Sequence, residues 1–215
     1  PSYLDNIDLL VREHNHKMLD HPKILHKPLP VNCRNNILGS SGGLDAPEFY
    51  EFTGTNSLPL DKRKYTLNFL GSSNAGDRDQ MQNSLKKLRK DTLESSLLGF
   101  TSHFATGAKL YDYYAYLSQS QIVLCPRGGA PETFRYTEAF ACGCSVITTC
   151  DLPDLWYFKD SPAIVLRDWS ELTDDLVESV LASADREKNI AYYQGSLSDE
   201  ATTQQILEKL GDDNT

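Results

Sequence analysis

The sequence contains no apolar run of membrane-spanning length and no recognisable signal peptide. No stretch approaches the ~18 consecutive apolar residues that a transmembrane helix needs, and no basic segment followed by an apolar one opens the chain. The chain begins at Pro1, as expected after removal of an initiator methionine or for a piece of a longer protein. The compartment stays open between the cytoplasm and the lumenal part of a membrane-anchored enzyme.

Cysteine is scarce and odd in number, since the chain has five. Four of them lie in or beside apolar runs, where free thiols pack as small hydrophobic groups: Cys125, Cys142, Cys144 and Cys150. Cys142 and Cys144 are too close in sequence for an ordinary pair of zinc ligands. We therefore expect reduced thiols and no metal site.

The chain also lacks a broad basic surface. Its formal net charge is −9 and its pI is about 5.0, which argues against a nucleic-acid partner. The local basic clusters at 62–64 and 86–90 are typical of solvated faces. With 215 residues, of which 40% are hydrophobic and 24% charged, the chain has the composition of an ordinary globular protein with a sizeable core.

From residue 62 onward, short apolar runs alternate with segments of helical spacing. This alternation predicts an α/β fold for residues 62–215, a Rossmann-like three-layer α/β/α parallel sheet. The predicted strands are 65–70, 96–100, 122–125, 146–149 and 163–166, and the predicted helices are 78–90, 108–120, 133–142, 170–184 and 202–210.

Residues 1–61 form a separate and less regular segment. Residues 1–20 have apolar residues at helical spacing, and residues 24–31 are predicted to be extended because Pro28 and Pro30 exclude a helix. Residues 32–61 are rich in Asn, Gly, Ser and Pro, which indicates a long loop. We expect an N-terminal helix, a linker and an irregular loop there.

Residues 121–149 are predicted to form one strand–helix–strand unit with polar residues after the first strand. Arg127 and Gly128 follow that strand, and Arg135 and Glu138 share one face of the helix. In open α/β sheets ligands bind at this end. Guanidinium groups suit phosphate and a carboxylate suits sugar hydroxyls, so we expect a nucleotide-sugar site. The alternative is an exposed Arg135–Glu138 ion pair.

A second glycine-bearing loop follows the first strand of the predicted sheet. Gly71 and Ser72 open it, and Arg78 begins the next helix, where the side chain can reach an anion. The loop lacks the Gly-Lys-Ser/Thr of a P-loop and the glycine spacing of a dinucleotide fingerprint. Its alternative role is a tight strand–helix turn.

The motif resembles the nucleotide-sugar half of exostosin-type (GT47-type) glycosyltransferases. It reads L-C-P-x-G at Leu124–Gly128, then R-x-x-E-A-x-x-x-G-C at Arg135–Cys144, then an apolar strand. The resemblance covers roughly residues 62–170. The R-x-x-E-A-x-x-x-G core is shared with other enzymes of the two-Rossmann-domain GT-B fold. The resemblance implies that this chain is the C-terminal, donor-binding half of such an enzyme.

The resemblance also implies roles for individual residues. Glu138 would bind the ribose hydroxyls, Arg135 the donor diphosphate, and Gly71 and Ser72 would line the donor cleft. Such enzymes need no catalytic metal or other cofactor. The donor would be a nucleoside diphosphate sugar of the UDP or GDP type, and the acceptor a glycan or another hydroxyl compound. The acceptor-binding domain would lie elsewhere, on a longer chain or a partner chain.

Other candidates have weaker support from the sequence. His103 and His26 are candidate general bases, His103 being nearer the expected cleft. The tyrosines of 111–116 are expected to pack their helix, and residues 156–158 (Trp-Tyr-Phe) to form an aromatic surface, at the site or at a domain interface. Two other functions stay open: a non-catalytic nucleotide-sugar-binding module, and a flavodoxin-like protein-interaction domain. A nucleotide-sugar epimerase shares the fold.

Overall fold

The computed structural model describes residues 7–12, 21–29, 51–74, 76–103, 108–128, 132–151 and 155–212. Its strands are β1 (Leu10–Arg12), β2 (Ile24–His26), β3 (Tyr65–Ser72), β4 (Leu97–Thr101), β5 (Ser120–Cys125), β6 (Ser145–Thr148) and β7 (Ile164–Val165). Its α-helices are α1 (Arg78–Leu85), α2 (Lys90–Glu94), α3 (Leu110–Ser118), α4 (Phe134–Ala141), α5 (Asp174–Ser183), α6 (Arg186–Tyr192) and α7 (Asp199–Asp212). None of these helices has the length and apolar character that crossing a membrane requires.

Five parallel strands form the main sheet in the order β4-β3-β5-β6-β7. Strands buried on both faces need a layer of helices on each side, and the predicted Rossmann-like α/β fold is confirmed. The chain adds β4 on one side of β3 and β5 on the other. The direction of sheet building therefore reverses between β3 and β5, where open α/β sheets have their ligand crevice.

The two faces of the sheet carry separate cores, because successive residues of a strand point to opposite faces. Val123 and Val146 pack on one face with Tyr114 of α3 and Phe140 of α4. On the other face, residues from β3, β5 and β6 pack with α1 and α5: Leu67, Phe69, Ile122, Leu124, Ile147, Met81, Leu85, Val177 and Val180. Helix α4 is central, since its residues from Arg135 to Ala141 are all buried.

Strands β3 and β5 pair over only part of their lengths. Among the described residues their register runs from Tyr65 opposite Ser120 to Asn68 opposite Val123. Beyond that point β3 stays paired with β4 as far as Ser72. The carboxyl ends of β3 and β5 therefore diverge, which leaves a gap at the point where the sheet reverses direction.

The predicted N-terminal helix is wrong at Leu10–Arg12. These residues form β1, which pairs in parallel with β2 from Leu10 opposite Ile24 to Arg12 opposite His26. Ile24 and Leu25 are buried, so a tertiary partner decides the conformation and overrides the helical spacing. Residues 1–6 and 13–20 of the expected helix, residues 30–31 of the expected extended segment and residues 32–50 of the expected loop lie outside the described residues.

Several element boundaries also differ from the prediction. The helix expected over 78–90 ends at Leu85, and a second, unpredicted helix, α2, begins at Lys90. Strand β3 runs two residues further than expected, to Ser72. Helix α6 and the π-helical turn at Tyr193–Leu197 were not predicted at all. The expected domain boundary between residues 61 and 62 stays a prediction, and hydrogen bonds cross it, as from Gln121 Nε2 to the carbonyl of Leu60 at 2.9 Å.

Candidate functional site

Two buried arginines converge on one aromatic ring at the carboxyl end of β3. The guanidinium carbon of Arg135 lies 4.5 Å from the centre of the Phe69 ring, and that of Arg78 lies 5.9 Å from it. Phe69 is fully buried, whereas 8% of Arg78 and 9% of Arg135 is exposed. A ring face attracts a cation, most strongly where water is excluded. Phe69 is therefore a platform that holds both cations; Arg78 and Arg135 are called the arginine pair below.

Arg135 reaches this ring through the gap between β3 and β5. It extends from the first turn of α4, and its Nη2 donates a hydrogen bond of 2.5 Å to the carbonyl oxygen of Leu70. Gly71 leaves room for it, because a Cβ at that position would lie 2.7 Å from Nη2 of Arg135. A side chain at residue 71 would have to displace the guanidinium.

Arg78 is held by Ser72. Its Nη1 donates to the carbonyl oxygen of Ser72 at 2.8 Å and to the hydroxyl oxygen of the same residue at 2.6 Å. Burial and the positive charge of Arg135 lower the pKa of Arg78, against the opposing effect of Asp77. The two guanidinium groups are thus close enough for the charge of Arg135 to disfavour the charged form of Arg78.

No carboxylate among the described residues is in salt-bridge contact with the arginine pair. The Nε atoms of both arginines are buried and have no hydrogen-bond partner in this described part. Two like charges held away from water cost folding free energy unless an anion compensates them. The arrangement suits a ligand with two adjacent negative groups, such as a diphosphate.

Glu138 lies one turn after Arg135 on α4 and is 4% exposed. Its Oε2 accepts a hydrogen bond from the Tyr113 hydroxyl at 2.8 Å, and its Oε1 accepts one from the Tyr114 hydroxyl at 3.1 Å. The alternative of an exposed ion pair between Arg135 and Glu138 is therefore wrong. Two of the tyrosines that were expected only to pack their helix instead donate to this carboxylate.

The loops after β3 and β5 touch through their backbones. Gly76 has a φ of +63°, and a Cβ there would lie 2.1 Å from the carbonyl oxygen of Arg127 and 3.0 Å from that of Gly128. The Arg127 side chain is exposed. Burial raises the pKa of Cys150, beyond β6, to about 12, and the Arg127 charge partly opposes this rise. Among the described residues no hydrogen bond or salt bridge joins the Arg127 side chain to the arginine pair.

The expected aromatic surface at 156–158 is wrong for two of its three residues. Tyr157 is 1% exposed and Phe158 is 6% exposed, and both belong to the core around α4. The Tyr157 hydroxyl donates to Oε2 of Glu132 at 3.0 Å. Trp156 donates from Nε1 to the carbonyl oxygen of His26 at 2.8 Å, which joins β2 to the main domain.

His103 lies exposed at the same edge of the sheet, two residues past the end of β4. Its carbonyl oxygen accepts a hydrogen bond of 2.9 Å from Oγ1 of Thr101, and the amide of Ser73 donates to the carbonyl of Thr101 at 2.9 Å. The ends of β3 and β4 are thereby joined. The expected role of His103 as a base stays a prediction.

Two acidic residues flank Arg78 in sequence. Asp77 and Asp79 flank Arg78 at the spacing Asp-x-Asp, and one carboxylate oxygen of Asp77 accepts a hydrogen bond from the Thr149 hydroxyl. Within the described ranges no group of three or more His, Cys, Asp or Glu side chains could hold a metal ion. The four described cysteines are free and buried, as expected.

Sequence reasoning missed Phe69 and the pair Tyr113 and Tyr114. A signal existed for Phe69, because strand periodicity places residue 69 on the same face as Gly71, which was already a candidate. No local signal existed for the two tyrosines. Their partner Glu138 is 24 or 25 residues away on another helix.

The sequence matches a known protein family. The family model described as RXYLT1 C-terminal domain matches residues 48–195, which include β3 to α6 and hence the whole candidate site. No curated protein matches the sequence closely enough to count as a relative.

Proposed function

The chain belongs to the RXYLT1 C-terminal domain family, an exostosin-type (GT47-like) glycosyltransferase domain, and from this we propose that it binds a nucleoside diphosphate sugar as the glycosyl donor. The donor is of the UDP or GDP type, and the acceptor is a glycan or another hydroxyl compound. In this proposal the chain is the donor half of a GT-B enzyme. A second domain or a partner chain supplies the acceptor site, and the general base is either a residue of that domain or His103 of this chain.

The arginine pair is the observation that carries the proposal. Arg78 and Arg135 are both more than nine-tenths buried on Phe69, at the diverging ends of β3 and β5, without a salt-bridge partner in the described part of the chain. The amino end of α4 lies at the same edge of the sheet, and helix amino ends favour anions. A diphosphate supplies the negative charge that this location favours.

The reaction gives the arginine pair a catalytic role. The bond from the anomeric carbon to the donor diphosphate breaks, and the acceptor oxygen forms a new bond to that carbon. Negative charge develops on the leaving diphosphate, and preorganised cations lower the barrier where they meet that charge. Arg78 and Arg135 would stabilise the leaving group, and Glu138 would hold the ribose.

Binding of nucleoside diphosphates tests the proposal. Titration calorimetry with UDP, GDP, ADP and inorganic pyrophosphate should show binding of one nucleoside diphosphate to the wild-type chain. Arg135→Gln should weaken that binding by about tenfold or more, because a hydrogen bond to a charged group contributes about 1.5–3 kcal/mol. The matched control is Arg167→Gln, since the Arg167 side chain is 90% exposed and paired with Glu171.

The two halves of the proposal can fail separately. Equal affinity of wild type and Arg135→Gln, with both chains folded, would remove the site assignment. Binding with no hydrolysis or transfer of the matching sugar donor, in the presence of the acceptor-binding half, would leave a non-catalytic nucleotide-sugar-binding module.

The proposed mechanism needs no metal, because the arginine pair takes over charge stabilisation. The spacing of Asp77 and Asp79 makes a direct test necessary, since the Asp-x-Asp pair is used by metal-dependent glycosyltransferases. Donor binding is therefore measured with Mn²⁺ and with EDTA. Equal affinity supports the metal-independent mechanism, and binding that requires Mn²⁺ and is lost in Asp79→Asn contradicts it.

A further inference from the structure

Two adjacent tyrosines of α3 meet one carboxylate of α4. Neighbouring residues on a helix point about 100° apart, so two consecutive side chains seldom reach the same group. Here the rings of Tyr113 and Tyr114 are 5.5 Å apart at an angle of 67°, and their hydroxyls bind different oxygens of Glu138. Both oxygens of the carboxylate are thereby fixed from one side.

The direction of these hydrogen bonds follows from protonation. Burial, followed by the negative charge of Glu138, raises the pKa of both tyrosines well above their usual value, so both hydroxyls carry a proton at physiological pH. Each hydroxyl has one proton to donate. A carboxylate has about four lone-pair sites, and the two tyrosines use one on each oxygen. They therefore fix the orientation of the carboxylate group.

Packing alone does not explain both hydroxyls. Two other tyrosines of the same helix pack edge-on against aromatic rings. The ring centres of Tyr111 and Phe52 are 4.9 Å apart, and those of Tyr116 and Tyr65 are 6.4 Å apart. Tyr114 is fully buried, where phenylalanine would fill nearly the same volume without bringing a polar group into the core. What distinguishes Tyr113 and Tyr114 is the contact of their hydroxyls with Glu138.

We propose that Tyr113 and Tyr114 are positioning residues that hold the Glu138 carboxylate in the orientation that accepts hydrogen bonds from the ribose 2′ and 3′ hydroxyls. The pair thereby sets the preference of the site for ribonucleotide donors over 2′-deoxyribonucleotide donors. This inference rests on the proposed function, because it requires a nucleoside diphosphate on the arginine pair and a ribose at Glu138.

The test compares ribose with deoxyribose in the same site. Affinities for UDP, 2′-deoxy-UDP, GDP, 2′-deoxy-GDP and inorganic pyrophosphate are measured by titration calorimetry for wild type, Tyr113→Phe, Tyr114→Phe and the double variant. We expect the preference for the ribonucleotide, about tenfold for a hydrogen bond to a charged group, to fall towards one in the double variant. Pyrophosphate affinity should stay within about twofold, because the arginine pair is untouched.

Two comparison variants separate positioning from packing. Tyr116→Phe removes a hydroxyl from the same helix without touching Glu138, and it should keep the wild-type preference. Glu138→Gln removes the charged acceptor and should lose the preference as the double variant does. Tyr113 is only partly buried, so Tyr113→Phe keeps the test available if Tyr114→Phe does not fold.

Each outcome decides the matter. If the wild type binds neither UDP nor GDP, the proposed function fails and this inference fails with it. If the wild type binds one of them and its ribose preference survives in every folded tyrosine variant, the inference alone is overturned. A wild type that binds the ribonucleotide and its 2′-deoxy form with equal affinity overturns the inference as well. Loss of preference with retained pyrophosphate binding supports it.

Discussion

At the scale of single residues, the site depends on the absence of a side chain at position 71. Arg135 extends from α4 to the Phe69 ring, and its guanidinium occupies the position that a Cβ of residue 71 would need. The φ angle of Gly71 is not in the left-handed region, so the backbone alone does not require glycine. The close approach of the guanidinium requires it.

We predict that Gly71→Ala weakens diphosphate binding and leaves the fold nearly unchanged. The new Cβ would lie 2.7 Å from Nη2 of Arg135, which is the mobile end of a long side chain and moves away. Alanine is more favourable than glycine in a strand by about 0.5–1 kcal/mol, which offsets part of the strain. Calorimetry should show an affinity loss of about tenfold, and the melting temperature should change by a few degrees at most.

Gly99→Ala is the matched control for this prediction. Its new Cβ would also lie 2.7 Å from the end of a side chain, but that atom is Cδ2 of Leu70. Both glycines are strand residues of the same sheet, and only Gly71 adjoins Arg135. Equal affinities in the two variants would show that the space at residue 71 does not control Arg135.

For single residues, the sequence predicts which of them lie at the site but not where their side chains point. A motif on one βαβ unit brought Arg135 and Glu138 to the same edge of the sheet as Gly71, Ser72 and Arg78, and that edge is where open α/β sheets bind ligands. The direction of each side chain depends on the rest of the fold. Arg127 follows β5 almost directly, yet its side chain is exposed, whereas Arg135 is buried over Phe69. Nothing in the local sequence distinguishes the two arginines in this respect.

At the scale of elements, long-range contacts decided the boundaries that periodicity missed. The helical spacing of 78–90 contains no proline or glycine, yet α1 ends at Leu85 and Arg89 is extended. The backbone amide of Arg89 donates to the Asp174 carboxylate at 3.0 Å, and Thr92 Oγ1 donates to it at 2.7 Å. The break is therefore stabilised by a residue of α5 that lies 85 positions away.

Asp174 should make stability depend on pH in the acid range. Burial alone would raise the pKa of Asp174, but hydrogen bonds from Thr92 and the Arg89 amide, with the Arg89 charge, lower it below its ordinary value of 3.8. A carboxyl with a lowered pKa stabilises the folded state fully above pH 3.8, and this stabilisation is lost as the pH falls through the folded-state pKa. The ionised form, at neutral pH, joins α5 to the start of α2.

We predict that Asp174→Asn lowers the melting temperature at pH 7 and that its difference from wild type shrinks below pH 3.8. The variant lacks the charge that the wild type loses on protonation, so the melting temperatures of the two proteins should converge as the pH falls. Asp61→Asn is the control, since that side chain is 71% exposed. A melting-temperature difference for Asp174→Asn that stays constant down to pH 2 would contradict this account.

At the scale of the whole molecule, the end of the sheet opposite the site is closed by one arginine. Arg63 is 6% exposed and donates to the carbonyl oxygens of Leu58 at 2.8 Å, Ser120 at 2.8 Å and Cys142 at 2.7 Å. It also donates to Sγ of Cys144 at 3.2 Å. These partners belong to the segment before the sheet, the start of β5, the end of α4 and the approach to β6.

The fold class was predictable for the whole domain because alternating strands and helices have few stable arrangements. The way residues 51–63 attach to the sheet was not predictable from the sequence. Arg63 stands in a basic run that composition indicates to be a solvated face, and Lys62 beside it is indeed 71% exposed. Only the three-dimensional fold shows that the carbonyl groups of three separate segments surround one member of that run, because two of them, at Ser120 and Cys142, lie 57 and 79 positions away in sequence.

We predict that Arg63→Lys destabilises the whole domain, whereas Lys62→Ala does not. Lysine has three donors on a flexible stem and cannot reproduce the fork that serves these acceptors, so buried carbonyl groups are left unpaired. Each unpaired buried group costs about 1–3 kcal/mol, and we expect the free energy of unfolding to fall by about 2–4 kcal/mol in urea denaturation. Lys62→Ala should stay within about 0.5 kcal/mol of wild type. Because α4 carries Arg135 in its first turn and Arg63 binds the carbonyl of Cys142 directly after its last turn, a folded Arg63→Lys chain should also bind the nucleoside diphosphate more weakly. Unchanged stability in that variant would show that Arg63 is not what joins these segments.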